Sequence, residues 1–196
     1  MMISGVLKTP EIIEAFLKVD RAYFIPGELE DKTYIDAPLP IGKDQTISQP
    51  STVAFMLELL KPKKGDKILD IGSGSGWTTA LLCQIAGKEG VVIGVERIDE
   101  LVKIGQNNLS KFNFGKNCFI QKAGSSIGIP GEKFDKILVS ASAKHFPNKL
   151  LNQLQVGGTL VIPVKNSIFK FEKISDTITQ KSEYPGFVFV PLIVNS

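Results

Sequence analysis

The apolar positions of this chain fall into two patterns. Short continuous runs, among them Ile68-Leu69, Val91-Val92-Ile93 and Ile137-Leu138-Val139, have the character of strands covered on both faces of a sheet. Between them lie stretches with helical spacing, such as Ile12, Ile13, Phe16 and Leu17, or Leu101, Val102, Ile104 and Leu109. The two patterns predict helices over 10–19, 51–60, 78–86, 99–111 and 147–154. They predict strands over 67–71, 91–96, 118–121, 136–139, 159–164, 168–174 and 187–192. The alternation implies an α/β fold: a doubly wound, mostly parallel central sheet with helices on both faces, its last strands pairing locally. Pro26, Pro38 and Pro40 leave 26–42 irregular, and a segment of that length is often functional.

The most informative stretch is Lys67-Ile68-Leu69-Asp70-Ile71-Gly72-Ser73-Gly74-Ser75-Gly76-Trp77. It reads as a strand, a glycine turn and a helix start, so free helix N–H groups face whatever occupies the turn. A dinucleotide fingerprint needs a small residue where Trp77 stands. The spacing D-x-G-x-G-x-G from Asp70 resembles the first motif of class I S-adenosylmethionine (SAM) methyltransferases. Glu96 ends the next strand, twenty positions after Gly76, where an acid can accept both ribose hydroxyls.

Composition narrows the setting. The 196 residues suffice for one domain, expected over 1–196, and carry a mild net charge of +3. The apolar runs fall short of the ~20 residues that span a bilayer, and 1–9 lacks the apolar core of a signal peptide. A cytoplasmic protein is the expectation. Lysines are scattered except for Lys61-Pro62-Lys63-Lys64, read as a solvated loop, so neither nucleic acid nor membrane is an expected partner. Cys83 and Cys118 lie in separate elements without metal-ligand spacing and read as two reduced thiols.

Further stretches carry a more specific resemblance. They are Tyr34-Ile35-Asp36-Ala37-Pro38-Leu39-Pro40-Ile41-Gly42, Gln45-Thr46-Ile47-Ser48-Gln49-Pro50, Arg21 with Phe24-Ile25-Pro26, and Glu96-Arg97. Phe134-Asp135-Lys136-Ile137, Gly157-Gly158, Val161-Ile162-Pro163-Val164 and Phe189-Val190-Pro191-Leu192 fit as well. Together, in this order, they resemble the protein-L-isoaspartate O-methyltransferase family over nearly the whole chain. The resemblance implies a Rossmann-like SAM methyltransferase fold, with 1–50 as an N-terminal helix and substrate-side segment and 51–196 as the SAM-binding core. It implies methylation of the free α-carboxylate of L-isoaspartyl residues in damaged proteins and peptides. S-adenosyl-L-homocysteine is the product, and repair follows through a succinimide.

By the same resemblance, Ser48 is the active-site residue. Gln45, Thr46 and Ile47 lie with it at the junction of cofactor and substrate. Asp70, Gly72, Ser73, Gly74 and Gly76 form the cofactor turn, with the amino acid tail on its glycines and Ser73. Glu96 and Arg97 serve the ribose side, and Gly124 and Ser125 the adenine side. The family usually has Gly-Asp-Gly where this chain has Ala123-Gly124-Ser125. Asp44 stands beside the expected carboxylate site. A helix-capping role for Ser48 is the structural alternative. The carboxylate is already ionised at neutral pH, so alignment is expected to replace a general base. The only histidine, His145, reads as a surface residue. Two alternatives stay open: methylation of another peptide carboxylate, and binding of SAM or protein without turnover. A monomer is the expected state.

Overall fold

The computed structural model describes residues 5–193. Its seven-stranded sheet runs β5-β4-β3-β6-β7-β8-β9. The parallel part comprises β3 (Lys67–Ile71), β4 (Val91–Glu96), β5 (Cys118–Lys122), β6 (Phe134–Val139) and β7 (Leu154–Val164). Two antiparallel strands, β8 (Ser167–Lys173) and β9 (Thr179–Pro185), complete it. A separate hairpin joins β1 (Leu39–Gly42) to β2 (Gln45–Ile47).

Strand alternation splits the core in two. Ile68, Val92, Leu138 and Val161 face one cluster, and Leu69, Val95, Ile137 and Leu160 face the other. The first cluster holds residues of α1 (Pro10–Lys18), α2 (Pro50–Leu60), α3 (Trp77–Ala86) and α4 (Asp99–Leu109). The second is closed by Leu150 of a 3-10 helix, Asn148–Gln153, and by Ile127. Gln153 pins these two pieces together: its amide donates to the Ile127 carbonyl at 2.9 Å, and its carbonyl accepts the Ile129 N–H at 2.8 Å.

Several elements differ from their sequence expectation. Among the described residues the last strand is β9, and 187–192 forms instead an isolated bridge, between Pro191 and Ser142 beyond the end of β6. The polar sequence Thr-Gln-Lys-Ser-Glu-Tyr-Pro hid β9, as suits an edge strand open to water. β7 starts at Leu154 rather than at 159, because Gly157-Gly158 forms an irregularity inside the strand and not a turn before it. The helix expected over 147–154 is the 3-10 helix, and α4 ends at Leu109. A further 3-10 helix spans Arg21–Phe24, and the segment 26–42 contains another, Gly27–Lys32, and the first hairpin strand. Lys43 and Asp44, both with positive φ, turn that hairpin, so the exposed Asp44 lies at its tip.

The two cysteines are not free thiols. Cys83 of α3 and Cys118 of β5 are joined by a disulfide, with Cα atoms 5.9 Å apart. Thirty-five positions separate them in sequence, but α3 packs across the sheet edge where β5 begins, which no spacing rule reveals. A loop of that length corresponds to about 3–4 kcal/mol in the chain-entropy picture. Reduction is therefore expected to lower the unfolding free energy by about that amount, read from denaturant melts with and without reductant. An intact mass unchanged by reduction would contradict the bond.

Candidate active site

The site lies at the carboxyl ends of β3 and β4, where an open α/β sheet leaves a crevice. Beyond Ile71 the chain turns sharply, with the Gly72 and Ser73 N–H groups donating to the Val95 carbonyl at 2.9 and 3.2 Å. Gly74 and Gly76 take φ of +54° and +97°, a region that side chains resist. At Gly76 a Cβ would also press on Ile120 and on the Gly105 backbone, where α4 backs the turn. Asn108 of α4 fixes that contact, donating to the Ser75 carbonyl at 3.0 Å.

Glu96, nearly buried, braces the turn from β4. One carboxylate oxygen accepts the Gly74 N–H at 3.0 Å and the other the Ile98 N–H at 2.9 Å. Each oxygen retains accepting capacity for a ligand hydroxyl. Asp70 lies beneath the turn, fully buried, with one oxygen accepting a hydrogen bond from the Thr79 hydroxyl at 2.6 Å and the other unpartnered among the described residues. Burial pushes its carboxyl up to about 6; the Thr79 hydrogen bond opposes the rise and Glu96 adds to it. The buried Ser73 hydroxyl also lacks a partner. Orphaned buried polar atoms around a turn that admits only glycine fit a polar ligand seated there.

The facing wall comes from the hairpin. Gln45, Thr46, Ile47 and Ser48 line a cavity together with Gly72, Ser73, Gly74 and Glu96. Its volume is about 50 Å³. Thr46, Ser48, Ser140 and Val190 also line a second cavity of about 280 Å³, between Pro38 and Val188. Ser48 is not the cap of α2. Gln49 holds that position, and Asp36 supplies the anion, accepting the Ser51 N–H at 2.9 Å and the Gln49 amide at 3.1 Å.

Not every expected residue meets there. Asp70 is a support under the turn, and Gly76 is the N-cap of α3. Arg97 is exposed, its carbonyl accepting from Lys122 at 2.6 Å. Gly124 and Ser125 line a neighbouring opening of about 320 Å³ with Val95 and Gln121. Ile41, Thr78, Ser140, Ala141 and Val190 belong to the first cavity without having been singled out. Ser140 carried a positional signal, as the residue just past the end of β6, and Ile41 and Val190 lay within the family-like stretches 34–42 and 189–192. His145 is exposed, as expected.

Comparison with known proteins settles the assignment. The family description Protein-L-isoaspartate(D-aspartate) O-methyltransferase (PCMT) matches residues 2–196. The chain belongs to the protein-L-isoaspartate O-methyltransferase family. A protein-L-isoaspartate O-methyltransferase of Methanopyrus kandleri is 41% identical over 194 residues, covering 96% of this chain and 86% of that one. One from Flavobacterium psychrophilum is 44% identical over 186 residues, covering 93% and 85%. Among solved structures, a Plasmodium falciparum protein described as a protein-L-isoaspartate O-methyltransferase, in complex with S-adenosyl-L-homocysteine, aligns with a TM-score of 0.86. It is 28% identical, and the alignment covers 97% of this chain and 94% of that one. As a member of the family, the chain is a SAM-dependent carboxyl methyltransferase acting on isoaspartyl residues in damaged proteins.

The raised Asp70 carboxyl has a consequence for cofactor binding. SAM carries a net positive charge that S-adenosyl-L-homocysteine lacks, and a cation near the Asp70–Glu96 pair favours ionised Asp70. SAM seated beside that pair is expected to release a proton near pH 6 on binding, its affinity tightening as pH rises from 5 to 7. Release of a single proton limits the gain to about tenfold for each step of one in pH. S-adenosyl-L-homocysteine, titrated in parallel by calorimetry, is expected to respond less. Identical pH profiles for the two ligands would contradict the coupling.

Proposed function

We propose that this chain methylates the α-carboxylate of an L-isoaspartyl residue by holding it in the 280 Å³ groove, with Ser48 donating the hydrogen bond that orients it. The observation that carries the reading is the wall shared by the two cavities. Thr46, Ser48, Ser140 and Val190 line both, so a group oriented by Ser48 in the groove lies beside the cavity above the glycine turn. In that cavity the Gly72-Ser73-Gly74 turn and the start of α3 hold the amino acid tail of SAM, and Glu96 accepts its ribose hydroxyls. Gly124 and Ser125 flank the adenine side.

Bound SAM supplies a methyl group on a sulfonium; a carboxylate oxygen takes the methyl, the carbon–sulfur electron pair stays on sulfur, and no proton moves. The protein therefore needs no general base, and the residues lining the groove offer none. Its work is to align two reactants, an effect that reaches roughly 7–11 kcal/mol in well-oriented systems, and to keep water from the carboxylate. The methyl ester then closes to a succinimide off the protein. Isoaspartyl proteins and peptides are the proposed partners. A monomer in the cytoplasm is the proposed working form.

Ser48→Ala is expected to lower kcat at least tenfold, as for loss of a hydrogen bond to a charged group worth about 1.5–3 kcal/mol. Affinity for S-adenosyl-L-homocysteine, measured by calorimetry, is expected to stay within about twofold, since the tail and ribose contacts lie elsewhere. Equal losses of turnover and cofactor affinity would instead make Ser48 part of the cofactor cradle.

A further inference from the structure

Arg21 is buried to 3% exposure and has no salt bridge among the described residues, an unusual place for a cation. Its two terminal nitrogens make four hydrogen bonds, all to backbone carbonyls. Nη1 donates to Thr33 at 2.7 Å and Ile35 at 3.3 Å; Nη2 donates to Ala37 at 3.0 Å and Ser48 at 3.1 Å. The guanidinium also sits 5.4 Å from the ring centre of Trp77, the first residue of α3. Its Nε–H has no partner.

Burying a cation here is costly, and the four hydrogen bonds to carbonyls offset that cost. What only a planar fork of donors can do is hold several carbonyls in fixed relative positions. Three of these carbonyls alternate along 33–37, the stretch leading to Pro38 on the wall of the substrate groove. The fourth belongs to Ser48 itself. Asp36, in the middle of that stretch, fastens it a second time through Gln49 and Ser51 at the start of α2. Burial lowers the Arg21 guanidinium to about 10, Asp36 resists the fall, and it remains charged at neutral pH.

We propose that Arg21 is a positioning residue for methyl transfer: its guanidinium locks the Ser48 backbone to the 33–37 wall and so sets the angle at which Ser48 meets the substrate carboxylate. The proposal rests on the reading of Ser48 given above. A lysine delivers its donors from one point and cannot span carbonyls on both segments, so Arg21→Lys keeps the charge and loses the lock.

The test compares Arg21→Lys, Ser48→Ala and the double variant, reading kcat, KM for an isoaspartyl peptide, and S-adenosyl-L-homocysteine affinity by calorimetry. Arg21→Lys is expected to lower kcat about tenfold and raise the peptide KM, with cofactor affinity within about twofold. In the Ser48→Ala background the same substitution is expected to cost far less, because both act through one group. Equal Arg21→Lys losses in both backgrounds, or a loss of cofactor affinity matching the loss of kcat/KM, would overturn the proposal. A Ser48→Ala defect without an Arg21→Lys defect overturns it while sparing the Ser48 reading; no Ser48→Ala defect overturns that reading itself. Should Arg21→Lys not fold, Arg21→Gly with added methylguanidinium decides. Recovered turnover supports the lock, and no recovery assigns Arg21 to folding alone.

Discussion

The brace between Glu96 and the glycine turn is the interaction on which the site depends. A turn that reverses at the end of β3 with positive φ at Gly72, Gly74 and Gly76 has little stiffness of its own. The Glu96 carboxylate supplies it by accepting N–H groups on both sides, from Gly74 in the turn and from Ile98 before α4. The parallel pairing of β3 with β4 brings Glu96 there. The same pairing sets Asp70 opposite Gly94, where an added Cβ would lie 2.9 Å from the Thr79 hydroxyl that Asp70 requires. Turn, brace and buried acid are thus one unit, backed by α4 through Asn108.

The second half of the site is hung on this unit by a different chemistry. The hairpin and 33–37 contribute little apolar burial beyond Leu39, Ile41 and Ile47. They are held by charged groups that grip backbone: Arg21 on four carbonyls, Asp36 on the start of α2. The glycine turn rests on strand register. The groove beside it rests on hydrogen bonds between segments far apart in sequence. Ser48 lines both cavities.

That division explains what could be read from sequence. The parallel strands were legible because continuous apolar runs leave few other choices, and the glycine turn because its spacing is demanding. Arg21 and Asp36 could be noticed but not placed, since their contacts include backbone carbonyls and N–H groups, which carry no side-chain signature. β9 was hidden by the polar composition proper to an edge. The disulfide was hidden because its cysteines approach only once α3 has packed against the sheet. Asp70 belongs to the motif, but only burial shows that it carries the turn rather than lining the cavity.

The central claim is that this geometry aligns an isoaspartyl carboxylate with a sulfonium methyl and needs nothing further. Transfer of labelled methyl from SAM to two peptides that differ only in one linkage, L-isoaspartyl against L-aspartyl, tests it most directly. Label on the isoaspartyl peptide alone is the result this account predicts. Equal label on both peptides, or none on either while SAM binding is intact, would contradict it.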